Sequence, residues 1–132
     1  MSSEFKVEII NPEKSFFSQE DINEVVLPAF EGEMGILKDH IPIISFLKPG
    51  IIKTFSKSGE KNFFVEDGIV EFRNDNLSIL TSSIFDVSKM DKNKIDEILK
   101  QSENVLSQKD LDDQKKYVID QKIDVLKSLS PN

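Results

Sequence analysis

Residues Phe63 to Leu80 read FFVEDGIVEFRNDNLSIL, and the reading of this stretch decides the fold. Phe63 and Val65 flank Phe64, and Leu77 and Ile79 flank Ser78. Apolar side chains two residues apart share one face of an extended chain, so each run predicts a short half-buried strand. Between the runs stand two turn sequences, Asp67-Gly68 and Arg73-Asn74-Asp75-Asn76. Asp67-Gly68 has the composition of a two-residue hairpin turn, because glycine adopts positive φ without steric penalty.

The same grammar extends toward the N-terminus. Phe5, Val7 and Ile9 alternate in FKVEI, Ile51 and Phe55 flank Lys53, and Asn11-Pro12, Lys48-Pro49-Gly50 and Ser58-Gly59 punctuate the runs. Short strands joined by tight turns cover one another's apolar faces by stacking sheets, which predicts an antiparallel β-sandwich over residues 1–87. From Ser88 the period becomes helical. Ser88 to Asp91 and Ser107 to Asp110 each read serine, two residues, aspartate, a shortened capping box that predicts a helix start. Ile95, Ile98, Leu99, Val105 and Leu106 form one apolar stripe, and Leu111, Val118, Ile119, Val125, Leu126 and Leu129 form another. Joined through Leu106 to Asp110 and ended by Pro131, the two helices predict an antiparallel hairpin over 88–132. The fold class is mostly β with an α tail.

Composition bounds the function. A chain of 132 residues makes one ordinary domain with an appendage. No apolar run approaches the roughly 20 residues of a membrane-spanning helix, and MSSEFKVEII lacks the basic start and long apolar block of a secretory signal. The net charge of −7 falls entirely on residues 1–87, with 8 basic and 15 acidic side chains, whereas 88–132 carry 9 of each. An acidic surface repels phosphate backbones and anionic headgroups, so protein partners fit better than nucleic acid or lipid.

No catalytic constellation emerges. Asp39 and His40 are adjacent and serines are plentiful, but sequence neighbours usually point apart and no nucleophile elbow is present. Glu31 and Glu33 are a carboxylate pair that in an exposed loop more often faces solvent or a partner. Gly32 and Gly35 lack the strand-GxGxxG-helix setting of a dinucleotide site, and no phosphate loop occurs. One histidine and no cysteine exclude the common transition-metal clusters, so neither a metal nor a cofactor is expected.

The stretch VVLPAFEGEMGILKDHIPIISFLKPGIIK, Val25 to Lys53, resembles the hallmark segment of the epsilon subunit of F-type ATP synthases: a valine-rich strand, P-x-x-EGE-x-GI, a histidine, a proline and L-K-P-G. The resemblance continues through FFVEDGIVEFRNDNLSILTSS and covers essentially the whole chain. It implies a sandwich of about ten strands with a helical hairpin, working as a non-catalytic rotor component at the cytoplasmic face of the bacterial inner membrane. The sandwich would pack on the gamma subunit. The loop from Glu31 through His40, with Glu31, Gly32, Glu33, Gly35 and His40, would meet the ring of c subunits. Pro42, Pro49, Gly50 and Gly68 would shape loops and turns. The rotor would pass ion-driven rotation through gamma to catalytic sites on other subunits.

The tail departs from the family pattern. Some bacterial members carry an ATP-binding segment of hydrophobic, Asp, two residues, Arg, Ala; here MDKNKI keeps Asp91 but has Lys94 and Ile95 in the last two places. Lysine lacks the bidentate fork of arginine, so weak ATP sensing or none is expected. In some relatives the tail inhibits ATP hydrolysis by extending toward the alpha and beta subunits, and Lys115, Lys116, Lys122 and Lys127 are the cations for such contacts. An equally weighted reading has them solvate a permanently folded hairpin. The rival class is a free-standing sandwich adaptor with a helical hairpin, which fits the acidic surface but gives no reason for EGE-x-GI with L-K-P-G. An enzyme reading ranks third.

Overall fold

The computed structural model describes residues 3–129. Nine strands are followed by two helices: β1 Phe5–Ile10, β2 Ser15–Ala29, β3 Gly32–Leu37, β4 Ile43–Leu47, β5 Gly50–Ser56, β6 Gly59–Val65, β7 Gly68–Arg73, β8 Asn76–Leu80, β9 Ile84–Asp86, α1 Lys92–Leu106 and α2 Asp113–Leu129. Pro131 lies outside the described residues.

The strands form one continuous sheet in the order β1-β8-β7-β4-β2-β5-β6-β9, with β3 on β2. Folded over on itself, it makes a sandwich. β2 is the spine: its first half pairs with β1 and its second half with β3 and β5, and Ala29 bridges to Leu47 of β4. All pairings are antiparallel except β1 with β8, which is parallel. Phe5, Val7, Ile9, Val25, Leu27, Ile52, Val65, Phe72, Leu77 and Ile79 from both leaves meet in one core. The alternation read in FKVEI is the inward face of β1, and Leu77 and Ile79 point inward from β8.

Several local expectations are corrected. Asp67-Gly68 is not a hairpin turn, because β6 pairs with β5 and β9 whereas β7 pairs with β4 and β8. Glu66 and Asp67 instead carry the chain between leaves, where Thr81 Oγ1 donates to the Asp67 carbonyl at 2.7 Å and the Glu66 amide to the Ser83 carbonyl at 3.4 Å. Lys48-Pro49 makes a second such crossing, from β4 to β5, and Pro49 is buried. Arg73-Asn74-Asp75-Asn76 is a true hairpin: Arg73 pairs with Asn76 while Asn74 and Asp75 hold φ of 53° and 57°, the backbone of a type I′ turn. On β5 the core face is Gly50, Ile52 and Thr54 rather than Ile51 and Phe55, because Ile51 belongs to the surface the tail covers.

Both helices begin later than the serine signals place them. Asp91 is the N-cap of α1, its carboxylate accepting the Lys94 amide at 2.8 Å, and Asp112 accepts the Lys115 amide at 2.7 Å in front of α2. Aspartate caps as well as serine, and its charge also suits the positive helix N-terminus. Ser88 sits in a single 3₁₀ turn, Val87–Lys89, capped by Asp86, and Ser107 closes the C-terminus of α1. The connection therefore spans Ser107 to Asp112.

Candidate protein interface

The outer face of the β1-β8-β7-β4 leaf leaves several apolar side chains uncovered, as do the β3–β4 turn and the tail at Val105 and Tyr117. Phe46 stands opposite Ile69, Ile69 opposite Leu80, and Leu80 opposite Ile10, so four apolar residues form one cross-strand row. Phe46, Ile69 and Leu80 are 57%, 45% and 51% exposed, and Phe30, whose amide donates to the Phe46 carbonyl, is 49% exposed. At about 4.8 Å between strands, the row runs roughly 14 Å across the leaf. The row borders a shallow cavity of about 540 Å³ that Pro12 and Gly68 also line. Two residues along the strands, on the same face, Ile44 opposes Glu71 and Ser78 opposes Glu8, so the surroundings are mixed apolar and polar. A contiguous apolar strip with a polar border is the anatomy of a protein interface.

The glycine-rich stretch that the resemblance treats as one loop is mostly strand. β2 and β3 form a hairpin, with Ala29 opposite Gly32 and a two-residue turn at Phe30-Glu31. Gly32 holds φ of +136°, a conformation that side chains strongly disfavour. Glu31 sits at this tip and accepts from Ser45 Oγ at 3.4 Å. Glu33, opposite Pro28, shares a cavity of about 310 Å³ with Lys48, Lys53 and, from α2, Gln121, Val125 and Ser128. The two carboxylates therefore serve different surfaces, and Gly35, opposite Val26, lies farther along the strand.

His40 is at the other end of β3, separated from the tip by roughly 16 Å of extended chain at about 3.3 Å per residue. Its ring stands edge-on to Phe72 at 5.9 Å, Nδ1 lies 2.7 Å from the Ile41 carbonyl, and its amide donates to the Leu37 carbonyl at 3.1 Å. Asp39, preceding it with φ of 67°, donates its amide to Asp75 Oδ1 at 2.8 Å. The histidine buttresses a turn whose exposed members are Leu37, Asp39, Ile41 and Pro42. Glu31 and His40 are thus two ends of one hairpin arm rather than members of one cluster.

The helical hairpin lies against the opposite leaf. Phe64 of β6, Ile95 and Ile98 of α1 and Leu126 of α2 form a second buried cluster, with Ile51, Phe85, Met90, Leu99, Val125 and Leu129 around it. β6 is consequently apolar on both faces, Phe63 and Val65 inward and Phe64 outward. Lys122 pairs with Glu66 of the sandwich, and Glu66 also accepts from Ser83 Oγ. Lys122 is therefore committed to the docked tail, whereas Lys115, Lys116 and Lys127 are exposed. Glu66→Gln should raise amide exchange in α2 about two- to fivefold, because a pair that keeps some contact with solvent is worth about 1 kcal/mol; unchanged exchange would remove the pair from the docking energetics.

Asp91 and Lys94 show local roles. Asp91 caps α1, and the Lys94 ammonium stands 5.4 Å from the centre of the Phe85 ring. Among the described residues no three His, Cys, Asp or Glu side chains gather as metal ligands, and no helix is long and apolar enough to cross a membrane.

Sequence reasoning singled out Glu31 to His40 but as one loop, and it missed the Phe46, Ile69 and Leu80 row. The available signal was the nearly unbroken apolar run IISFL, which marks a strand with both faces apolar.

Residues 4–87 match the family model described as ATP synthase, Delta/Epsilon chain, beta-sandwich domain. The chain is 70% identical over 130 residues to an ATP synthase epsilon chain of Pelagibacter ubique (strain HTCC1062), covering 98% of this chain and 100% of that one. It is 34% identical over 111 residues to the ATP synthase epsilon chain of Dichelobacter nodosus (strain VCS1703A), covering 83% and 77%. Among solved structures, a chain in the mitochondrial ATP synthase OSCP/F1/c-ring assembly of Euglena gracilis shares the fold, with a TM-score of 0.74 at 17% identity over 96% of this chain and 79% of that one. A chain of the central stalk and c-ring of the Tetrahymena thermophila mitochondrial enzyme aligns with a TM-score of 0.66 at 15% identity, covering 96% of each. With the sandwich matched over its whole span and a relative matched nearly end to end, this chain belongs to the ATP synthase epsilon-chain family.

Proposed function

We propose that this chain acts as a non-catalytic rotor subunit, gripping the gamma subunit through the outer face of the β1-β8-β7-β4 leaf and meeting the c-ring through the β2–β3 arm. The observation that carries the reading is the Phe46–Ile69–Leu80–Ile10 row, a register-aligned apolar strip uncovered in the isolated chain. Torque transmission requires a contact that does not slip, and apolar side chains fixed on a sheet give a stiffer footing than loops. At the ring end, Glu31 at the hairpin tip offers an acceptor to ring donors, and Gly32 and Gly35 allow close approach of backbones. His40 and Pro42 hold the exit from β3, and Pro49, Gly50 and Gly68 set the two leaf crossings. The chain would sit peripherally, on the cytoplasmic face of a bacterial inner membrane.

In this reading residues 1–87 are the coupling unit and 88–132 a regulatory unit. The docked hairpin is the resting arrangement, and its opening would free Lys122 to join Lys115, Lys116 and Lys127 in facing the alpha and beta subunits. Asp91 as a helix cap and Lys94 over Phe85 leave little to recognise a nucleotide, which supports weak ATP sensing or none.

The test is size-exclusion chromatography with mass detection on the chain mixed with gamma from the same organism. A one-to-one complex at low micromolar or tighter is expected, and Phe46→Glu with Ile69→Glu should weaken it at least about 100-fold, equivalent to about 2.7 kcal/mol, by burying charge in the strip. Separate elution of two folded proteins would overturn the rotor reading in favour of a free-standing adaptor. Full binding by the folded double variant would move the gamma contact to another face.

A further inference from the structure

We propose that the open edge between the two leaves, beside β9, binds an acidic peptide segment carrying an aromatic anchor residue. A cavity of about 380 Å³ lies there, lined by Lys14 to Phe17 at the start of β2, Lys61 and Phe63 of β6, Ile84 to Asp86 of β9, and Lys89. The floor is phenyl: Phe63 meets Phe16 edge-on at 6.0 Å and Phe17 at 4.9 Å. Phe16 and Phe17 remain partly exposed, so their rings present apolar surface to the cavity instead of closing it, whereas the Phe85 ring turns to the other face to stack on Phe64.

The rim is cationic in a chain whose first 87 residues carry 8 basic side chains against 15 acidic. Two of those eight, Lys14 and Lys61, converge with Lys89 around this one opening. Among the described residues no carboxylate forms an ion pair with any of the three, in contrast to Lys122 with Glu66. Lys61 rests instead 5.5 Å from the centre of the Phe17 ring. Asp86 is the one acid in the lining; its Oδ1 accepts from the Ser88 amide at 2.9 Å and the Ser88 hydroxyl at 2.7 Å, which orients the carboxylate and leaves three cations against one anion. Three exposed lysines against one aspartate around the aromatic floor give a rim of net positive charge that attracts an anionic partner.

Peptide is favoured over a small anion by the neighbouring strand. β9 ends the sheet, pairing with β6 on one side and with no strand on the other among the described residues. A free strand edge beside a pocket suits an extended segment, whose backbone aligns with the edge while one side chain fills the cavity. An aromatic anchor matches the phenyl floor, and flanking carboxylates match Lys14, Lys61 and Lys89. This surface is separate from the apolar row and from the hairpin tip, so the proposal stands independently of the rotor reading.

The test uses the ¹⁵N-labelled full chain and blocked pentapeptides. The first has phenylalanine between two pairs of acids, the second glycine in its place, and the third phenylalanine between two pairs of lysines. Saturable amide shifts confined to Lys14 to Phe17, Lys61 to Phe63 and Ile84 to Lys89 are expected with the first peptide alone. Lys61→Glu with Lys89→Glu should raise its dissociation constant at least tenfold, while Lys61→Arg with Lys89→Arg keeps it within about threefold. A well-dispersed spectrum establishes that each variant is folded. Equal shifts with the glycine or lysine peptide would overturn the proposal. So would stronger binding of oleate at the same amides, or concentration-dependent shifts without peptide, which would assign the cavity to a small amphipathic anion or to a second copy of this chain.

Discussion

Phe64→Ala should release the helical tail while leaving the sandwich folded. Phe64 is fully buried, yet it points away from the main core into the cluster with Ile95, Ile98 and Leu126. Truncating a buried phenylalanine costs about 3–5 kcal/mol, and here that cost falls on the junction between tail and sandwich. Helices of 15 and 17 residues are marginal on their own in water, so once undocked they should fray. Hydrogen exchange is the measurement: amides of α1 and α2 should lose protection by two or more orders of magnitude, while those of β1, β7 and β8 keep theirs. A uniform loss across both parts would mean that tail and sandwich unfold as one unit and would sink the idea of a separable regulatory hairpin.

Gly50→Ala should be the most damaging methyl that can be added to the sandwich. A Cβ at this position would fall 2.5 Å from Pro28 Cβ and 2.9 Å from Pro28 Cγ. The proline ring has no rotamer by which to retreat, and Pro28 is pinned in β2 opposite Glu33. Relief requires β2 and β5 to separate, so a loss of about 2–3 kcal/mol and a fall in Tm on the order of 10 °C are expected. Gly35→Ala is the contrast: its nearest neighbour would be the tip of the flexible Glu24 side chain at 3.8 Å, and the change should cost less than about 1 kcal/mol. Equal melting temperatures for the two variants would show that β2 and β5 tolerate the displacement.

These two residues also mark what the sequence could and could not convey. The L-K-P-G stretch announces a turn, and the D-G pair does the same, but neither says whether the chain returns to its neighbour or crosses to the other leaf. That is decided by which strands already occupy the flanks of β6 and β7, a property of the assembled sheet. Alternation succeeded where one face is buried, as in β1 and β8, and blurred where both are, as at Phe64 and Ile51, because the tail adds a second burial that period-two counting cannot see. Helix starts slipped by several residues because serine and aspartate both cap, and spacing alone does not choose between them. At the candidate interface, the glycines and histidine were conspicuous because they are rare here. The apolar row was not, since Phe46, Ile69, Leu80 and Ile10 come together through strand register, which no local window contains.

The parallel pairing of β1 with β8 bears on how such a chain comes into being. Val7 lies beside Leu77, about 70 residues later, so the first strand made waits longest for this partner. During synthesis, β1 can lean on β2 as soon as that hairpin emerges, but the leaf stays unsealed until residue 80 has cleared the ribosome. By then the helical tail is next in line, and Phe64 is in place to receive it. Birth order thus favours a closed sandwich first and a docked tail second, so a newly made subunit would meet its partners with the tail already folded away.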